Sequence, residues 1–199
     1  FSIIAHFWQN ASDFPVAALV ATIAAIYLSR SRAQSDPIVL LAGGPGQGAQ
    51  LAFTTTFFAF ARAGRQRDIL LLDQRGTGRS NPLTCDVEAG ADRSGSMSDA
   101  AAFLRVGEQC LERLSAKYDL GAYTTSRAVA DLEAVRSLLG YETLNLYAGS
   151  YGTRVAQHYA RRYPTRVRSM VLDGVVAPQT VLGPRMATDA QHALDGIWK

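Results

Sequence analysis

The sequence predicts an α/β fold, a mostly parallel open sheet with helices packed on both faces. Two observations carry that expectation. Short, continuous apolar runs bounded by glycine or an acidic residue recur along the chain, as strands buried on both faces do. Between them lie longer segments whose apolar residues fall at helical spacing and whose ends carry capping residues. Regular alternation of the two means parallel strands joined by right-handed crossovers.

The elements follow in chain order. Phe14 to Leu28 is free of charge but interrupted by Pro15. It is shorter than the ~20 residues of a membrane span, so it reads as one or two buried strands, with Ile23 to Arg32 leading into the sheet. The chain starts at Phe1 without a Met and is expected to be processed or excised from something longer. Ile38-Val39-Leu40-Leu41-Ala42 is a buried strand that ends in Gly43-Gly44-Pro45-Gly46, and Gln50 to Ala63 reads as a helix. Ile69-Leu70-Leu71-Leu72-Asp73 is the second strand of the core. Small polar residues from Asp86 to Ser98 mark a surface loop, and Ser98 is placed to cap a helix running to Lys117. Thr124 to Leu139 is the clearest helix. Its apolar stripe is Ala128, Val129, Leu132, Val135, Leu138 and Leu139, and Gly140 ends it. Leu144 to Ala148 is a third strand, a helix from Tyr151 runs to Tyr163 before Pro164, and Met170 to Asp173 is a fourth strand. A last helix spans Pro184 to Trp198.

Composition narrows the function. A chain of 199 residues, 48% hydrophobic and 19% charged, is an ordinary globular domain. Its net charge is +3, and the basic residues, all arginine except Lys117 and Lys199, are scattered. No nucleic-acid footprint is therefore expected. Two cysteines, Cys85 and Cys110, exclude a cysteine-rich scaffold and an all-cysteine zinc site. A bridge between them implies an oxidising compartment, whereas two buried thiols imply nothing.

Ser150 is the sharpest chemical feature. It stands between Gly149 and Tyr151, directly after a strand and directly before a helix. A nucleophile elbow needs that context, because a tight, strained turn exposes the hydroxyl while small neighbours let strand and helix approach. The usual Gly-x-Ser-x-Gly begins here with Ala148. A serine that merely caps the helix is the plainer alternative. Gly43-Gly44-Pro45-Gly46 supplies flexible backbone whose amides can face a cleft. Acyl transfer needs two such donors for its oxyanion, expected from Tyr151 and Gly44, with Gly43 the weaker choice. A phosphate-binding loop is excluded because no lysine follows the glycines. In Asp73-Gln74-Arg75-Gly76-Thr77-Gly78-Arg79-Ser80 the dinucleotide fingerprint lacks its third glycine. That segment reads as a structural turn in which Asp73 and Arg75 are paired or hydrogen-bonded.

Three motifs then occur in order: Ala42-Gly43-Gly44-Pro45-Gly46, Asp73 to Ser80, and Gly149-Ser150-Tyr151-Gly152-Thr153-Arg154. Together they resemble the α/β-hydrolase peptidases of the proline iminopeptidase and tripeptidyl aminopeptidase group. The segments Thr124 to Leu132 and Val171 to Val176 are similar to that group as well. The likeness covers Ile23 to Trp198. Ala42 stands where proline iminopeptidases usually carry histidine, which favours the tripeptidyl branch. Secreted members resembling this chain often carry a cysteine pair where Cys85 and Cys110 fall. The resemblance thus implies a disulfide and a secreted or periplasmic location, or a cytoplasmic one if the pair is not bridged.

A serine hydrolase of this fold also needs an acid and then a histidine after the serine. Only His158 and His192 follow Ser150, and His6 precedes the sheet. His158 is eight residues along the same helix, ~12 Å up its axis, too far to reach the hydroxyl. His192 falls where the resemblance implies a cap, and Asp173 is expected to be a structural partner. The resemblance therefore implies a fold truncated before its last strands and most of its cap. Residues 1–183 would be the N-terminal part of the core domain, and 184–199 the start of the cap. The expected activity is a serine hydrolase without cofactor or metal, an exopeptidase releasing N-terminal residues through an acyl-enzyme. Its substrate would be a peptide or small ester, and a complementary C-terminal chain or segment is an expected partner. Two alternatives stand beside it: an esterase or lipase-like hydrolase, and a non-catalytic module that associates through an open sheet edge.

Overall fold

The computed structural model describes residues 24–27, 35–85, 100–181 and 186–197. A five-stranded sheet forms its centre, made of β1 (Ala24–Tyr27), β2 (Ile38–Leu41), β3 (Ile69–Leu72), β4 (Leu144–Gly149) and β5 (Val167–Asp173). The spatial order is β1-β3-β2-β4-β5. The pairs β3–β2, β2–β4 and β4–β5 are parallel, and β1 runs antiparallel to β3 along one edge. The helices are α1 (Ala49–Phe60), α2 (Ala100–Ser115), α3 (Thr125–Leu138), α4 (Tyr151–Arg162) and α5 (Met186–Ile197).

Alternation along each strand divides the core into two layers. Val39, Leu41, Leu70, Leu72, Leu144, Leu146 and Ala148 face α3 and α4, where Val129, Leu132, Val155 and Tyr159 close the packing. Leu40, Ala42, Ile69 and Leu71 face the opposite way, against Phe53 and Phe60 of α1. Helices therefore cover both faces, as the apolar runs predict. The expected helix from Gln50 to Ala63 is α1, followed by a 3-10 turn at Ala63–Arg65. Ser98, the polar loop before it, His6 and most of the apolar stretch from Phe14 lie outside the described residues.

Helix α3 shows how the local sequence sets its own limits. Thr124 caps the start by accepting from the Arg127 N–H. At the other end Gly140 takes φ +73°. Its N–H donates to the Ser137 carbonyl, and the Tyr141 N–H reaches back to the Arg136 carbonyl at 3.1 Å. The buried stripe differs from the expected one near its end: Leu138 is 48% exposed and Leu139 half-buried, while Arg136 is buried. Arg136 lies one turn beyond Leu132 and so shares its face. Its charge is tolerated because Glu133 grips the guanidinium through Nε at 2.9 Å and Nη2 at 2.8 Å. The Tyr159 hydroxyl completes the cluster, donating to Glu133 Oε2 at 2.7 Å.

Strand β5 begins three residues before the expected Met170 and is mostly exposed, Val171 by 56%. Cys85 and Cys110 place their Cα atoms 5.6 Å apart, a separation that a disulfide spans.

Asp36 joins the N-terminal ends of β2, β4 and β5. Its carboxylate accepts from Asn145 Nδ2 of β4 at 2.6 Å and from Arg67 Nε at 3.1 Å, and pairs with Arg168 of β5 at 3.3 Å. Burial pushes this carboxyl up, but the hydrogen bonds from Asn145 and Arg67 outweigh it, leaving Asp36 below its usual value of 3.8. The Arg136 hydrogen bonds likewise hold Glu133 below its usual 4.5, against the opposing effect of burial. Carboxyls lowered by folding stabilise the protein fully above their unfolded values. That stability is lost as pH falls through the lower folded values. Unfolding free energy measured in urea should therefore decline below about pH 4.5. The Glu133→Gln variant should show a shallower decline than the parent, and an unchanged acid slope would contradict the assignment.

Candidate active site

Ser150 is the single residue between β4 and α4. Its backbone takes φ 50° and ψ −123°, a left-handed conformation that costs ~1–3 kcal/mol in a residue with a Cβ. Three hydrogen bonds hold it there. The Ser150 N–H donates to the Asp173 carbonyl at 2.8 Å, and the Ser150 carbonyl accepts from the Thr153 N–H at 3.0 Å and hydroxyl at 2.7 Å. Thr153 is fully buried, and its Oγ1 also accepts from the Val176 N–H at 2.8 Å, which anchors the loop after β5. The Ser150 side chain makes no capping hydrogen bond to α4 and is exposed. The geometry thus disfavours the simple helix cap.

Small residues permit this turn at one point above all. A Cβ on Gly152 would lie 2.2 Å from the Leu41 carbonyl oxygen and 2.8 Å from that of Ala42. Helix α4 can pass the end of β2 only with glycine there. Gly149, by contrast, faces open space. The methyl group of Ala148, where the usual motif has glycine, lies fully buried in the core.

The glycine-rich loop meets the same turn. A Cβ on Gly43 would stand 3.1 Å from Ser150 Cβ and 3.6 Å from its Oγ. The Gly43 carbonyl accepts from the Gln47 N–H at 3.4 Å. Because that peptide group is planar, the N–H of Gly44 points to the opposite side. Gly44 and Gly46 have φ of +105° and +108°, which glycine alone adopts without strain. Tyr151 opens α4, so its N–H belongs to the first turn and lacks an intrahelical acceptor. Among the described residues neither the Gly44 nor the Tyr151 N–H donates to a backbone carbonyl.

Asp73 fastens this loop to its neighbour. Its carboxylate, in a residue only 1% exposed, accepts from the Gln50 N–H at 3.0 Å, Gln50 Nε2 at 3.2 Å and the Arg79 N–H at 2.9 Å. Arg75 turns elsewhere, binding Asp131 through Nε at 2.7 Å and Nη2 at 2.5 Å, and the Ala122 carbonyl through Nη1 at 2.8 Å. Asp73 and Arg75 are both hydrogen-bonded, as expected, but to separate partners. Bonding to Asp131 raises the Arg75 pKa, so its charge is fixed.

Of the expected partners, Asp173 accepts from the Tyr147 hydroxyl at 3.1 Å through its side chain, the structural pairing anticipated. Burial, with that bond, raises the Tyr147 pKa. His158 lies half-buried on α4, two turns from Ser150, and His192 is exposed on α5. Among the described residues no histidine is hydrogen-bonded to Ser150. A small cleft of about 190 Å³ opens beside Tyr151, lined by Pro45, Gly46, Leu83, Tyr123 and Ala128 among others. No local pattern marks this cleft or the Tyr151 hydroxyl bond to Thr125 Oγ1 at 2.6 Å. The clamp at Asp73 had one visible signal, an acid ending an otherwise apolar strand.

A family model described as the alpha/beta hydrolase fold matches residues 36–195. Serine protease Hip1 of Mycobacterium tuberculosis is 32% identical over 172 residues, covering 78% of this chain and 33% of that protein. Tripeptidyl aminopeptidase of Streptomyces coelicolor is 29% identical over 172 residues, covering 79% of this chain and 31% of that protein. The chain therefore spans about a third of the length of these curated relatives. Among solved structures, a marine microorganism esterase superposes with a TM-score of 0.51 at 15% identity, over 86% of this chain and 48% of that one. This last likeness concerns the fold alone.

The glycine contacts make a paired prediction. Gly152→Ala should destabilise the protein by ~3 kcal/mol, the upper range for overpacking, whereas Gly149→Ala should change stability by less than ~1 kcal/mol. Denaturation midpoints of the two variants decide it. Equal midpoints would mean that the close approach of α4 to β2 does not constrain the turn.

Proposed function

The chain belongs to the alpha/beta hydrolase fold family, and from that premise we propose that it carries the nucleophile and oxyanion half of a serine hydrolase acting on peptide N-termini. The carrying observation is Ser150: a strained, exposed serine between strand and helix whose hydroxyl is not used as a helix cap. Its Oγ attacks the scissile carbonyl carbon and its proton passes to a general base. Oxygen becomes an oxyanion, received by the N–H groups of Tyr151 and Gly44, the former reinforced by the positive end of α4. Collapse expels the leaving amine, protonated by the same base, and leaves an acyl-enzyme on Ser150. Water then releases the acyl group.

We assign the base and its orienting acid to a complementary C-terminal chain or segment. Residues 1–183 are then the N-terminal part of the hydrolase core, and α5, exposed along its described length, starts a cap. The names of the peptidase relatives support a peptide substrate. Opening an ester would use the same steps. Among the described residues no helix is long and apolar enough to cross a membrane. The spacing of Cys85 and Cys110 supports a disulfide and, with it, a secreted or periplasmic location.

A fluorophosphonate probe should label the protein, expressed in full from its gene, at Ser150, and Ser150→Ala should abolish both labelling and peptide hydrolysis, the latter by ~10⁴-fold or more. Labelling elsewhere, or hydrolysis that survives the substitution, would sink the assignment. The unreduced protein should also show no titratable thiol. Reduction should lower its stability by about 3 kcal/mol, given a loop of this length. Two free thiols in native secreted material would remove the support for an oxidising compartment.

A further inference from the structure

The cleft beside Tyr151 lies against both suppliers of the oxyanion donors. Pro45 and Gly46 continue from Gly44, and Tyr151 follows Ser150. Ser150 and Gly44 do not themselves line the cleft, so a carbonyl held by the Gly44 and Tyr151 N–H groups would lie next to its rim at Pro45 and Tyr151. At about 190 Å³ it is below the ~300–1,000 Å³ of sites that take a whole ligand, and its size suits one side chain.

Its charged group is already paired within the protein, and Gln74, Thr77 and Thr124 add uncharged polar lining. Among the described residues, Arg75 is the one charged residue lining the cleft, and its guanidinium is forked onto Asp131 and bonded to the Ala122 carbonyl. The Tyr151 hydroxyl bonds to Thr125, and the Tyr123 hydroxyl accepts from Asn81 Nδ2 at 3.1 Å. What remains for a guest is chiefly ring surface and the aliphatic carbons of Pro45, Leu83 and Ala128. A charged guest would lose its hydration without a counter-ion. An uncharged, apolar one gains from burial.

We infer that this cleft is the pocket for the side chain of the residue whose carbonyl Ser150 attacks, and that it selects an uncharged apolar side chain of up to about leucine size. The inference rests on the serine hydrolase reading and adds the substrate class. Gly76 shapes the wall: a Cβ there would come within 2.9 Å of the Tyr123 ring and 3.3 Å of Leu83, so glycine lets the two side chains close the cleft.

The test uses the protein expressed in full and a set of fluorogenic peptide amides that differ only at the acyl residue, which is Gly, Leu, Phe, Glu or Arg. Rates are normalised to sites titrated by the fluorophosphonate. The parent should prefer Leu to Gly, and Glu and Arg should each fall ~10-fold or more below Leu. Ala128→Leu, which fills the cleft without weakening helix α3, should lower the Leu-to-Gly ratio of kcat/KM by ~10-fold. Leu83→Ala, which widens the cleft, should shift preference towards Phe at that position. Efficient cleavage after Glu or Arg, or ratios unmoved in both variants, would overturn the pocket while leaving the hydrolase in place. A protein that is neither labelled at Ser150 nor active on any amide would remove the hydrolase reading, and the pocket with it.

Discussion

Asp73 is the point through which the loops around Ser150 are joined. A carboxylate so thoroughly removed from water is strongly disfavoured unless every neighbouring dipole turns towards it. Here the N–H of Gln50, in the first turn of α1, and the N–H of Arg79 both do so. The arrangement also places a negative charge at the positive end of a helix. One side chain thereby binds the loop leading into α1 to the loop that follows β3. The steric consequence is equally strict: a Cβ on Gly78 would fall 2.2 Å from Asp73 Oδ2, and one on Gly48 would fall 3.0 Å from Oδ1. The glycines on both loops are therefore part of the carboxylate's binding site, and the Gly43–Gly44 turn inherits its position from this clamp.

Once that loop is fixed, the strain at Ser150 has something to act against. An unfavourable backbone conformation of ~1–3 kcal/mol persists only if its surroundings hold it. The bonds to Asp173 and Thr153 contribute roughly 1 kcal/mol each, comparable with the cost. Gly152 then makes the alternative positions of α4 unavailable, since helix and strand already touch through their backbones. The turn is held by β5 on one side and β2 on the other, both parallel neighbours of β4.

Much of this was legible in the chain. Leu70 to Leu72 could only be a buried strand, Thr124 and Gly140 marked the two ends of α3, and Ser150 stood out by its neighbours. What escaped the sequence depends on contacts between distant segments. Nothing near Arg136 says that it is buried in place of Leu138, because its tolerance depends on Glu133 and on the Tyr159 hydroxyl from another helix. Nothing near Asp73 says that its partners are Gln50 and Arg79 and not Arg75. Strand β5 shows the limit of pattern reading from the other direction. Its apolar residues mark it as a strand, but nothing in their pattern says that among the described residues it pairs with β4 alone and is mostly exposed.

On the proposed serine hydrolase reading, the described residues have a chemical value of their own. In serine hydrolysis, proton removal and oxyanion binding make separable contributions, and loss of the base leaves ~10³–10⁴-fold catalysis from the remainder. That remainder depends on donors fixed before the charge develops, because amides that must reorient spend their interaction energy on the movement. The Tyr151 N–H is fixed by α4, and the Gly44 N–H by a loop that Asp73 holds through buried hydrogen bonds. Of the two proposed donors, Tyr151 opens α4, and Gly44 belongs to a short exposed turn between β2 and α1, the helix whose first turn Asp73 holds. On that reading preorganisation comes from α4 and from the turn before α1, and the proposed base would need to be positioned only with respect to Ser150.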